Sequence, residues 1–167
     1  MNAIVDLKPC KTDSTVIGFT ELKEKYLPQR YPLLLLDRVT GYEPGKWIRA
    51  TKAVTGNSPE LVGHFPERAI LPGSAMMQAF AQLGIVFFKL TNGHLEEDEM
   101  TVVTTFKIRL MAPVPPGEIM ELELNARRFD ANVGMFRGHI RLNGAIVASA
   151  SLAIAKTKLD RYAGIPW

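Results

Sequence analysis

Leu71-Pro72-Gly73-Ser74-Ala75-Met76-Met77-Gln78-Ala79-Phe80-Ala81-Gln82-Leu83-Gly84-Ile85-Val86-Phe87-Phe88-Lys89-Leu90 is the stretch that decides the fold of this chain. Its early polar residues are Ser74, Gln78 and Gln82, spaced four apart, so they line one stripe of a helix. The spacing predicts a helix over about 72–90, with Pro72 in the first turn, where its missing N–H had no partner anyway. Thr91-Asn92-Gly93 stops it. A membrane span needs about 20 mainly apolar residues. This helix carries Gln78, Gln82 and Lys89, so it reads as buried in protein. Just before it, Gly63-His64-Phe65-Pro66 places a histidine in a loop. A base, a helix N-terminus and a polar stripe in an apolar setting are the parts of an active site. The centre of the stripe is glutamine, however, and an amide cannot supply a proton as an acid.

Working outward, Thr20 can cap a short helix, Glu21 to Tyr26. Leu33 to Val39 is apolar, Glu43-Pro44-Gly45-Lys46 is a turn signal, and Trp47 to Val54 alternates as a strand. Gly56 to Arg68 reads as loop. The second half reads as strands at Thr101 to Met111, Glu118 to Phe129, Val133 to Leu142 and Ala145 to Ala155, the last two joined by Asn143-Gly144, a strong hairpin signal. A helix apolar on most faces must be covered on most faces. The expectation is one α+β domain over residues 1–167, an antiparallel sheet curled around the helix, with residues 1–18 and 157–167 as tails. A remaining sheet edge would favour pairing with a second copy.

Composition is that of a folded globular chain, with 47% hydrophobic and 22% charged residues. The net charge of +3 includes no lysine or arginine block of nucleic-acid type, so no nucleic-acid partner is expected. Arg127, Arg128, Arg137, Lys156, Lys158 and Arg161 add positive charge that an acidic partner could meet. Cys10 is the single cysteine, which excludes an intrachain disulfide and a thiolate metal cluster. No metal or cofactor is expected. Met1 to Ser14 is polar and lacks a signal-peptide core, which makes the cytoplasm the default location and a membrane partner unexpected.

Leu27-Pro28-Gln29-Arg30-Tyr31-Pro32-Leu33-Leu34-Leu35-Leu36-Asp37-Arg38-Val39 resembles the opening of the FabZ-type β-hydroxyacyl-acyl-carrier-protein dehydratases. Glu43-Pro44-Gly45-Lys46, Gly63-His64-Phe65-Pro66, Leu71-Pro72-Gly73, Phe106-Lys107-Ile108-Arg109 and Pro113-Val114-Pro115-Pro116-Gly117 continue the match in order, over about Leu22 to Ala155. The resemblance implies the hot-dog fold, a dimer or trimer of dimers, and an active site shared across a dimer interface. It makes His64 the base that takes the α-proton of a 3-hydroxyacyl thioester, and the Gly73 N–H the donor to the thioester oxygen. Phe65 and Gln82 are expected to touch substrate. The acid, a glutamate contributed by the partner subunit in this family, falls fourteen residues after the histidine, which here is Gln78. Gln29 is a second departure, at a position where the family usually has histidine.

The expected activity is dehydration of 3-hydroxyacyl-carrier-protein thioesters in fatty-acid, polyketide or polyene synthesis, slow for a homodimer. A heterodimer with a glutamate-bearing chain would complete one of two sites. The alternatives are an acyl-thioester isomerase using His64 alone and a silent subunit that binds or scaffolds acyl carrier protein.

Overall fold

The strand and turn signals assemble into one six-stranded antiparallel sheet in the order β1-β2-β4-β5-β6-β3. The strands are β1 (Arg38–Glu43), β2 (Trp47–Ala53), β3 (Glu99–Leu110), β4 (Ile119–Phe129), β5 (Val133–Leu142) and β6 (Ala145–Lys158). The computed structural model describes residues 17–65 and 67–162. Cys10, the polar run Met1 to Ser14 and Pro66 of the histidine loop lie outside these residues, as do the last five of the expected C-terminal tail.

Alternation sets the face of each strand. In β4, Met120, Leu122 and Leu124 are buried while Ile119 and Glu121 are exposed. Asn143 and Gly144 both take positive φ, 49° and 84°, as a two-residue hairpin turn of the right twist requires. The inward rows pack on α2 (Gly73–Asn92), which buries Ala75, Met76, Ala79, Phe80 and every residue from Gln82 to Phe88. Phe87, Phe129 and Phe136 pack their rings at tilted angles with centroids 5.4–5.9 Å apart, joining helix to sheet. The sheet wrapped around a helix is as expected.

Several boundaries differ, each for a local reason. Pro72 is the N-cap of α2 rather than its first residue, and the helix runs on to Asn92 before Gly93 turns it off at φ 89°. The first helix begins earlier than Glu21. Gly18 precedes α1 (Phe19–Glu21), a wider π turn over Leu22–Tyr26 follows, and Thr20 makes no cap. The half-buried Lys89 donates to Tyr26 O at 2.7 Å and closes that segment's end; burial holds the Lys89 ammonium below its ordinary pKa. β6 passes Ala155 and reaches Lys158, because Lys156 and Lys158 pair with Glu99 and Asp98 across the sheet. At the other end Ile17 bridges to Val39, so the core starts before residue 18.

Candidate active site

The loop between β2 and α2 delivers His64 through a ladder of tight turns. Leu61 N–H donates to Ser58 O, Val62 to Pro59 O, and His64 to Leu61 O. Gly63 and Phe65 both take positive φ, 74° and 56°. For phenylalanine that is a costly conformation, of the kind that gathers at functional sites. The result is an imidazole set against a backbone carbonyl, with Nδ1 2.8 Å from Ile70 O. A carbonyl only accepts, so Nδ1 carries the hydrogen, and in the neutral ring the lone pair is on Nε2. The ring is thereby held in one orientation. Phe65 stands edge-on to it at 4.5 Å and is exposed.

His64 lines a groove of about 390 Å³ with Gly73, Met76, Leu110, Met111 and Pro113. Its far wall is the first turn of α2. Ala75 and Met76 donate back to Pro72 O, and no side chain caps the helix start, so the N–H groups of Gly73 and Ser74 are left free among the described residues. Free N–H groups at the positive end of a helix stabilise a developing oxyanion. A Cβ at Gly73 would run into a side-chain methyl of Leu110, so the exposed Leu110 would have to turn aside. Larger depressions, up to about 640 Å³, lie on the outer sheet face and are lined by charged side chains such as Lys46, Arg127 and Arg137. They place no imidazole beside a helix end.

Gln78 is not part of the groove. Five residues advance a helix by about 500°, so Gln78 points about 140° away from Gly73 and about 7.5 Å further along the axis. There its amide reaches Leu33 O at 3.3 Å, on the side of α2 where Ser74 and Met77 are also exposed. Gln82, one turn on, is 1% exposed. Its oxygen accepts from Leu35 N–H at 3.0 Å and its nitrogen donates to Leu33 O at 2.5 Å. Its amide holds the 33–35 segment against the helix, and Gln82 does not line the His64 groove. Phe80, Phe87 and Phe88 are fully buried core residues, while Met76, Leu110 and Met111 line the groove.

A family model of the FabA-like domain matches residues 27–151. The chain belongs to the FabA-like family. Over 143 residues this FabA-like chain is 38% identical to the coronafacic acid dehydratase of Pseudomonas savastanoi pv. glycinea, covering 86% of each. It is 39% identical over 144 residues to the 3-hydroxyacyl-acyl-carrier-protein dehydratase FabZ of Colwellia psychrerythraea, covering 86% of this chain and 95% of that one. Among solved structures, the dehydratase heterocomplex ApeI:P from Xenorhabdus doucetiae aligns with TM-score 0.66 and 18% identity over 84% of this chain and 95% of that one. A hot-dog-like protein from Thermanaerovibrio acidaminovorans aligns with TM-score 0.58 and 16% identity, over 73% and 88%. At such identities these structures establish the fold, which is the hot-dog. No described helix is long and apolar enough to cross a membrane.

Proposed function

We propose that the chain dehydrates 3-hydroxyacyl thioesters carried on an acyl carrier protein, giving trans-2-enoyl thioesters, and that it does so as one subunit of a heterodimer in the cytoplasm. The carrying observation is the free Nε2 of His64 beside the uncapped start of α2. Nε2 takes the α-proton, and the charge that develops on the thioester oxygen meets the Gly73 N–H. The β-hydroxyl then leaves, and it needs a proton to depart as water. The electron pair from the α-carbon becomes the C=C bond and the thioester carbonyl re-forms.

The departing proton is what this chain lacks. Gln78 lies about 140° around α2 from Gly73 and does not line the groove of its own His64, so we read a group at that position as serving the groove of another chain. The long edge strand β3 exposes Val103 and Leu110, Met111 follows it directly, and Phe65 and Met77 are further exposed apolar residues. Such an edge favours pairing with another chain. With a partner that carries glutamate at the matching position, the groove of His64 gains its acid, while the groove served by Gln78 does not.

Charge on the outer sheet face suits an acidic carrier. Lys107, Arg109, Arg127 and Arg137 are exposed and have no carboxylate within 4 Å among the described residues, and they border the small residues Ser149, Ser151 and Ala153 of β6. Lys156 and Lys158, expected in such a surface, are instead paired with acids.

The test is purification from the native host followed by mass spectrometry. A homologous chain with glutamate at the aligned position is expected to co-purify in equal amount. Recovery of a fully active homodimer alone removes the heterodimer reading.

A further inference from the structure

A lysine sits where the sheet pattern calls for an apolar side chain. In β2 the inward row is Ile48, Ala50 and Lys52, and Lys52 is 6% exposed. Its Nζ lies 3.2 Å from Oε1 of Glu60, in the short helical turn Pro59–Leu61, and both side chains are largely out of solvent. The second carboxylate oxygen of Glu60 is buried with no hydrogen-bond partner among the described residues. Removing two charges from water costs heavily, and a buried pair of this kind stabilises a fold little beyond what apolar residues of the same shape achieve. What such a pair fixes well is position.

The position it fixes is that of the base. Glu60 stands four residues before His64, inside the ladder in which Leu61 bonds to Ser58, Val62 to Pro59 and His64 to Leu61. Ser58 is itself buried and accepts the Thr55 N–H at 3.1 Å, which closes the first turn of the loop just after β2. The far side of the loop is held by His64 Nδ1 on Ile70 O and by Leu71 N–H on Val114 O. The loop's near half has a single ion pair to the sheet among the described residues, Lys52 with Glu60. We infer that Lys52 and Glu60 are positioning residues for the dehydration, a buried strut from the sheet to the loop that sets where the His64 imidazole stands. This rests on the reading of His64 as the base.

The test reads the ring as well as the rate. The chain holds three histidines, so the ¹H–¹³C resonances of His64, His94 and His139 can be assigned and compared between variants. In Lys52→Met, and more mildly in the isosteric Glu60→Gln, the His64 resonance is expected to move or broaden while those of His94 and His139 stay. In the Gln78→Glu background the same changes should lower kcat about ten- to a hundredfold with KM nearly constant, since misplacing a reacting group by about 1 Å can cost about a hundredfold. The exchanged pair, Lys52→Glu with Glu60→Lys, should recover most of that loss. A folded Glu60→Gln chain with an unmoved His64 resonance and unchanged kcat overturns the strut. Moved resonances without dehydration in any background leave the strut standing and remove the assignment of His64 as base.

Discussion

Replacing Gln78 by glutamate should raise the dehydration rate of the purified chain by about a hundredfold or more. General acid catalysis typically contributes about 10²–10⁴-fold. The wild-type amide can hold the β-hydroxyl by hydrogen bonds but cannot give it a proton. The surroundings at position 78 favour a carboxyl in its acidic form. The Leu33 carbonyl oxygen lies 3.3 Å from the Gln78 amide nitrogen, and a carbonyl repels a carboxylate but accepts a hydrogen from a protonated carboxyl. Hydrogen bonding to the neutral form raises a carboxyl pKa, which suits an acid working near neutral pH. The half-exposed side chain and its long hydrogen bond mean that the substitution should leave the fold intact. Steady-state kinetics on a 3-hydroxyacyl-carrier-protein substrate measure the change. An unaltered rate in a folded variant means that the acid is not what limits this chain.

His64→Ala should lower turnover about 10²–10⁴-fold in the native assembly, because it removes the proton acceptor and leaves only the helix start to stabilise charge. The cost in stability should be small, of the order of 1 kcal/mol, for the lost hydrogen bond to Ile70 O. The loss should therefore fall on kcat and persist well below the melting temperature. A silent carrier-binding or scaffolding subunit predicts the opposite, an assembly whose activity ignores the substitution. An isomerase using His64 alone would lose isomerisation while gaining nothing from glutamate at position 78.

Much of this architecture was legible because it is written in local pattern. The apolar run from Leu71 to Leu90, the Asn143-Gly144 turn and the alternation of Glu118 to Phe129 each specify their own element. The groove of His64 and Gly73 follows from two motifs, Gly63-His64-Phe65-Pro66 and Leu71-Pro72-Gly73, that begin eight residues apart and lead into the start of α2. What stayed hidden depends on how elements rotate and pair. The stripe Ser74, Gln78 and Gln82 is real, but the rotation of α2 against the 33–35 segment leaves Ser74 exposed and Gln82 locked inside. Lys52 reads as an ordinary polar residue of a loosely alternating strand until the register with β4 turns it inward. The basic residues near the C-terminus looked alike in sequence. The pairing of β3 with β6 neutralises Lys156 and Lys158 with Glu99 and Asp98, and leaves Lys107 and Arg109 free to join Arg127 and Arg137.

The central claim is that each site takes its base from one chain and its acid from another. Mixing the wild-type chain with a His64→Ala/Gln78→Glu double variant tests it directly. The wild type has a base and no acid, and the double variant has an acid and no base. After co-refolding or co-expression, mixed dimers should dehydrate 3-hydroxyacyl-carrier-protein at a rate far above the sum of the two separate chains, approaching half that of the Gln78→Glu homodimer. Mixed dimers no faster than that sum, with their formation confirmed by native mass spectrometry, would contradict the account.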